Sequence, residues 1–263
     1  GPISYRFALT DAGRSRAREA LAACQYIGPA PVTLEQYTHQ TRLQTVQGIP
    51  CTRETLGRVF THLVLSESLL SELGPAVVSG RSMLIYGPPG SGKTAVSKAL
   101  GEFLNSFGGE IWIPHAIIAE TSVITVFDPL IHRPVAPPVS ASPPKLQELF
   151  KSQQEKFDRR WIRIRRPVVI VGGELTLEML DLRYSQAGNI YQSPLHVKAN
   201  GGVFLIDDFG RQIVSPRNLL NRWILPLEER QDFLTLATGK KISVPFEELI
   251  LFSTNLEPQQ LVD

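Results

Sequence analysis

Gly87-Pro88-Pro89-Gly90-Ser91-Gly92-Lys93-Thr94 places glycines at its first, fourth and sixth positions and ends on a lysine and a threonine. The spacing is G-x-x-x-x-G-K-[ST]. Glycines there let the backbone curl until successive N–H groups point inward, which builds a concave site for phosphate oxygens. A helix that follows turns its positive end toward the same oxygens. In this chemistry Lys93 reaches the β- and γ-phosphates and the Thr94 hydroxyl is a ligand for Mg²⁺. The flanks agree, with the apolar run Met83-Leu84-Ile85-Tyr86 before the loop and a helix-like stretch after it.

Such a loop needs a second, acidic site to hold Mg²⁺ and activate water. The stretch "GGVFLIDDFGR", Gly201 to Arg211, supplies two carboxylates directly after four apolar residues. A buried strand ending there sets both at the C-terminal edge of a sheet. Asp207 is the candidate Mg²⁺ carboxylate, acting through a water, and Asp208 the candidate for polarising the attacking water. A third buried strand with a polar tip is "LILFSTN", Leu249 to Asn255. The Asn255 amide is placed to hold that water near the γ-phosphate.

The elements that must position these residues alternate between strands and helices. Strands are expected at Met83–Tyr86, Glu110–Ile118, Thr121–Phe127, Trp161–Val171, Val203–Ile206 and Leu249–Ser253. Helices are expected over Thr52–Leu73 (one or two), Ala95–Phe107, Lys145–Phe157 and Asn218–Arg230. The stretches 233–236 and 241–244 flank Thr238-Gly239 and read as a β-hairpin. The alternation implies an α/β sandwich with a mainly parallel sheet. Near the N-terminus, Thr10-Asp11 is a helix cap, and Ala17, Leu21 and Cys24 share one face of the helix after it. Gly28-Pro29-Ala30-Pro31 reads as a separator, and Pro134 to Pro144 as an exposed loop.

A chain of 263 residues with 43% hydrophobic and 20% charged residues is ordinary for a globular protein. The net charge of +2 does not argue for a nucleic-acid partner. No apolar run reaches a membrane-spanning length, and no signal pattern opens the chain. The expected setting is cytoplasmic, with Cys24 and Cys51 as reduced thiols. Gly1-Pro2 reads as the remnant of a cleaved tag.

Gly87 to Thr94, Val203 to Asp208 and Phe252 to Asn255 resemble the Walker A, Walker B and sensor 1 motifs of AAA+ ATPases. The resemblance spans roughly Thr55 to Asp263. The helix "PRNLLNRWILPLEER", the hairpin and the sensor strand are similar to the MoxR and magnesium-chelatase branch, in which an Arg follows the Walker B acids as Arg211 does here. Thr121 to Phe127 with Asp128 resembles an insertion that such proteins carry.

This resemblance implies a P-loop three-layer sandwich over 51–263, with residues 1–50 as a small N-terminal extension. It implies Mg²⁺-dependent hydrolysis of ATP to ADP and phosphate, with Gly87, Pro88, Pro89, Gly90, Ser91, Gly92, Lys93 and Thr94 holding nucleotide. Thr94 and Asp207 serve the metal, and Lys93, Asp208 and Asn255 the chemistry. The implied partners are other copies of the chain, in a hexameric ring formed by the full-length protein, and a client protein that hydrolysis remodels.

Two departures stand out. AAA+ Walker B motifs usually end Asp-Glu, and this one ends Asp-Asp. The chain also stops eight residues past Asn255, short of the family's arginine finger and helical lid. The expectation is a piece of a longer protein that hydrolyses ATP weakly alone. Two alternatives stay open. One is a DNA-associated motor using the N-terminal segment and Arg159 to Arg166. The other is an ATP-gated scaffold with little turnover.

Other features carry two readings each. "RRWIRIRRP", with five arginines, is an amphipathic strand or a nucleic-acid patch. His132 is a structural loop histidine or a ligand. Arg211, Arg217 and Arg222 face solvent or a neighbouring subunit. The resemblance to AAA+ proteins further implies that Phe60 to Val64 lines an adenine pocket. Leu9 to Arg14 resembles a winged-helix segment, with a solvated, tethered helix as the alternative.

Overall fold

The computed structural model describes residues 8–61, 67–80, 82–135 and 158–261. Thr10 accepts from the Gly13 N–H at 3.2 Å and starts α1 (Asp11–Ala23). No residue of α1 is buried. Just past its end, Gln25 N donates to Gly188 O at 2.8 Å and ties it down. β1 (Val32–Thr33) follows, and Thr33 caps α2 (Leu34–Leu43) in a reciprocal capping box with Gln36. Val32, Tyr37, Val46 and Ile49 are all buried. The helices expected over 52–73 are α3 (Arg53–Val59) and α4 (Glu67–Ser79).

Four short apolar strands form the central sheet: β2 (Met83–Tyr86), β7 (Val168–Val171), β10 (Val203–Ile206) and β13 (Leu249–Thr254). Their order is β2-β13-β10-β7 and every pairing is parallel. β10 and β13 lie in the middle with every residue buried, which explains apolar runs without polar alternation.

Side chains still alternate between two layers. Val203, Leu205, Leu249 and Leu251 pack with Leu100, Phe103 and Leu104 of α5 (Lys93–Phe107), and with Leu56 and Leu73 from α3 and α4. Phe204, Ile206, Ile250 and Phe252 face the opposite way. They meet Ala199 of α6 (Leu195–Ala199) and Leu219 and Trp223 of α7 (Pro216–Glu229). The result is an α/β three-layer sandwich around a parallel sheet. Each fully buried Leu or Phe here contributes roughly 1.5–3 kcal/mol.

A second sheet lies beside this core in the order β1-β4-β5-β9-β8. Its new members are β4 (Ala116–Ala119), β5 (Ser122–Thr125), β8 (Arg183–Ser185) and β9 (Ile190–Gln192). The hairpin β11 (Gln231–Thr235) and β12 (Lys241–Pro245) packs into the same apolar cluster through Leu234, Ile242 and Val244. Its turn places Gly239 at φ 83°, the left-handed conformation that glycine adopts readily.

Two expected strands are broken. Trp161 to Val171 is two strands in different sheets. β6 (Trp161–Ile164) pairs antiparallel with β3 (Ile111–Pro114), whereas β7 joins the parallel sheet. Pro167 interrupts because it lacks an N–H and disfavours regular geometry before it. Glu110 to Ile118 likewise divides into β3 and β4 at His115, whose N–H donates to Arg160 O at 3.1 Å while its carbonyl accepts from Val126 N at 3.0 Å. The expected helix Lys145–Phe157, most of Pro134 to Pro144, and His62 to Val64 lie outside the described residues. Among the described residues no helix is long and apolar enough to cross a membrane.

Candidate functional site

β2 ends at Tyr86 and α5 begins at Lys93, so the glycine-rich loop sits at the C-terminal edge of the parallel sheet. Gly87 N donates to Thr254 O at 3.3 Å and ties the loop to the tip of β13. Gly90 and Gly92 adopt φ of 80° and 85°. A Cβ added to either would meet nothing within 4 Å, so these positions need the left-handed backbone and not the absence of a side chain. Lys93 Nζ donates to Gly87 O and Pro88 O, both at 3.0 Å, and to Asn255 Oδ1 at 2.7 Å.

The sheet order brings the remaining groups to this edge. β13 lies between β2 and β10, so the polar end of one and the acidic end of the other flank the loop. Thr94 Oγ1 donates to Asp207 Oδ2 at 2.9 Å, and Ser253 Oγ donates to Asp207 Oδ1. Asp208 is exposed, with φ 52°, and its Oδ1 accepts from Asn255 Nδ2 at 3.2 Å. Two chains of contacts therefore cross the site. One runs Lys93–Asn255–Asp208, and the other Thr94–Asp207–Ser253. A hydroxyl and a carboxylate side by side are the hard oxygen donors that Mg²⁺ takes, so Thr94 and Asp207 fit that ion.

Two residues at the site were not anticipated. Ser253 is fully buried, next to Thr254 at the end of a strand that is otherwise apolar. A buried hydroxyl generally has a partner, which is the signal that could have found it. Gln212 Nε2 donates to Asp207 O at 2.7 Å, and its Oε1 accepts from Gly210 N at 2.9 Å. No local pattern marks that residue.

Several candidates outside the loop have structural partners. His132 is buried; its Nδ1 accepts from Asp128 N and its Nε2–H donates to Lys198 O, both at 2.9 Å. Burial lowers its pKa, so it stays neutral as a loop brace. In the arginine run, Arg160 pairs with Asp158 at 2.7 Å and Arg163 with Glu110 at 3.1 Å. Arg166 is buried and donates to the carbonyls of Gln44, Gly108, Gly109 and Gly201. Burial pulls its pKa down to about 10.

Arg222 forks onto Asp232 at 2.6 and 2.8 Å. His196 Nε2 lies 2.9 Å from the same carboxylate, too poorly aligned to count as a hydrogen bond. Burial pushes the Asp232 carboxyl upward, but His196 and Arg222 outweigh it and hold the group at about 2. Cys51 is partly buried, which raises its thiol to about 11.

Fold and loop together define an α/β P-loop architecture. No family model matches the chain. The vesicle-fusing ATPase of Dictyostelium discoideum is 38% identical over 53 residues, which is 20% of this chain and 7% of that protein. Among solved structures, a complex of the magnesium chelatase subunits BchI and BchD is similar over 80% of this chain and 58% of its own, at 18% identity and TM-score 0.45. NtrX from Brucella abortus is similar over 78% of this chain and 34% of its own, at 16% identity and TM-score 0.40. The chain spans less than two thirds of each of these proteins.

Proposed function

We propose that this chain is the ATPase core of an AAA+ protein of the MoxR and magnesium-chelatase-like branch. The observation that carries the reading is the convergence of Lys93, Thr94, Asp207, Asp208 and Asn255 on one sheet edge, linked by the contacts described. The backbone of Gly87 to Thr94 cradles the phosphates of ATP or ADP, and Lys93 binds the β- and γ-phosphate oxygens. Mg²⁺, held by Thr94 and Asp207, supplies charge neutralisation for those oxygens. Asp208 accepts a proton from the attacking water and Asn255 holds that water in line. Water adds to the γ-phosphorus, the bond to the β-phosphate oxygen breaks, and ADP and phosphate leave.

The proposed division is an N-terminal extension over 1–50 and a core over 51–263, with Val32, Tyr37, Val46 and Ile49 of the extension buried against that core. In the whole protein, copies assemble into a hexameric ring in the cytoplasm and couple hydrolysis to remodelling of a protein client. The arginine run offers little to DNA, since Arg160 and Arg163 are paired and Arg166 is buried, which leaves Arg159 and Arg165 as its exposed members. A second reading, an ATP-gated scaffold with little turnover, is favoured by Asp208 standing where the family has the longer Glu.

Fluorescent-nucleotide titration with a phosphate-release assay tests the proposal. Lys93→Ala should weaken Mg·ATP binding about 10- to 100-fold, the size of a lost charge-assisted hydrogen bond, and reduce phosphate release to background. Equal binding by both proteins would overturn it. Tight Lys93-dependent binding without release would favour the scaffold.

A further inference from the structure

We propose that Gln212 is a positioning residue that aims the Asp208 carboxylate, an inference that rests on the hydrolysis proposed above. Asp208 is not a glycine, yet it sits at φ 52°. Aspartate is one of the few residues with a Cβ that adopt this backbone, because its short polar side chain bonds locally, and the surrounding bonds hold it there. The Asp208 N–H itself donates to Asp207 Oδ1 at 3.1 Å, and further bonds come from two directions. From β13, Ser253 O accepts from Phe209 N at 2.7 Å and Thr254 Oγ1 donates to Phe209 O at 2.6 Å. These bonds fix the residue after Asp208.

From within the turn, Gln212 spans Asp208 on both sides. Its Nε2 donates to the carbonyl before Asp208, that of Asp207, and its Oε1 accepts from Gly210 N beyond it. Arg211 N closes the same turn onto Asp208 O at 3.0 Å.

Gly210 lies at φ 101°, with Leu256 Cδ1 2.7 Å from where a Cβ would stand. The turn therefore has one close packing on its outer side and the Gln212 amide clasp along its length. With the turn so held, the Asp208 side chain meets the Asn255 amide at 3.2 Å. Gln212 itself reaches only main-chain groups of the turn in these bonds and neither Lys93 nor Thr94. The Asp207 carboxylate is held separately by Thr94 and Ser253, so the effect of Gln212 on turnover passes through the turn that aims Asp208. Gln is also the only common side chain of this length that donates and accepts through one planar amide. Glu accepts from Gly210 N but cannot donate to Asp207 O.

The test is a double-mutant cycle on the protein with Gln212→Ala and Asp208→Asn, reading ATP affinity, KM and single-turnover kcat. Gln212→Ala should lower kcat about 10- to 100-fold, the scale on which misplacement of a reacting group acts. ATP affinity and KM should stay within about threefold. In the Asp208→Asn background, where the carboxylate is already lost, Gln212→Ala should cost nothing further. Gln212→Glu should fall between wild type and Gln212→Ala in kcat. Equal losses from Gln212→Ala in both backgrounds, or a loss carried by KM, would assign Gln212 a structural role and overturn the inference while the hydrolysis stands. Absence of Lys93-dependent turnover in the unmutated protein would instead overturn the proposed hydrolysis.

Discussion

The Lys93 ammonium and the Asn255 side-chain oxygen meet at 2.7 Å across 162 positions of sequence. The lysine that would bind phosphate is thus held by the residue proposed to place the attacking water. The two jobs compete for one contact, because Lys93 leaves Asn255 to reach a phosphate oxygen. Asn255→Ala removes the competitor and the water-holder together. ATP should bind about two- to fivefold more tightly, while kcat falls about 10- to 100-fold. Nucleotide titration and single-turnover kinetics on one protein preparation check both signs, and a parallel loss of affinity would refute the competition.

Asp207 accepts from the Thr94 and Ser253 hydroxyls at once. Asp207→Asn keeps the shape but removes the charge that Mg²⁺ requires. Binding of ATP in the presence of a chelator should be unchanged or tighter, since a negative group near the phosphates is gone. Added Mg²⁺ should no longer strengthen it. Titrations with and without Mg²⁺ decide this, and a retained Mg²⁺ enhancement would place the metal on other groups.

Two buried carboxyls should leave opposite marks on stability against pH. Asp232 is held at about 2 in the folded protein, against 3.8 for an ordinary aspartate. Its folded value is depressed, so its stabilisation is present above pH 3.8 and is lost as pH falls toward 2. Glu248 is buried, with no hydrogen-bond partner for either oxygen among the described residues, and burial pushes its pKa well above 4.5. Above pH 4.5 the unfolded chain releases a proton that the native state keeps, so stability falls as pH rises from there. Glu248→Gln should therefore raise Tm at pH 7, with a gain that shrinks toward pH 4.5. Asp232→Ala should cost about 3–5 kcal/mol at pH 7, because Arg222 and His196 lose their buried partner. Thermal melts across pH check both.

Much of the central sheet was legible because β10 and β13 are buried on both faces. That makes Val203–Ile206 and Leu249–Phe252 apolar runs, and the polar groups that carry chemistry follow each run. The glycine-rich loop was legible because Gly90 and Gly92 need left-handed backbone that few other residues adopt. The break at Arg165-Arg166-Pro167 was not, since apolar residues on both sides hide a change of sheet. What stabilises that corner is the Arg166 guanidinium, whose four carbonyl partners come from three distant segments. Gln212 was missed for a related reason: it bonds only main-chain groups, which leave no trace in residue type.

Gly101 gives a test in which packing and propensity pull in opposite directions. It lies inside α5, where glycine is about 1 kcal/mol less favourable than alanine. Propensity alone therefore predicts that Gly101→Ala stabilises. A Cβ built there would stand 2.3 Å from Val168 Cγ2, which is well inside van der Waals contact. Val168 cannot easily give way, since its branched side chain is stiff at χ1 and its strand is paired with β10. Overpacking of this kind costs about 1–3 kcal/mol, which exceeds the helical gain through most of its range. Gly101→Ala should lower Tm by a few degrees, and the double variant Gly101→Ala with Val168→Ala should lose less than the two single changes added together. Thermal denaturation of the four proteins decides the matter. A higher Tm for Gly101→Ala alone would show that β7 and α5 can separate at no cost.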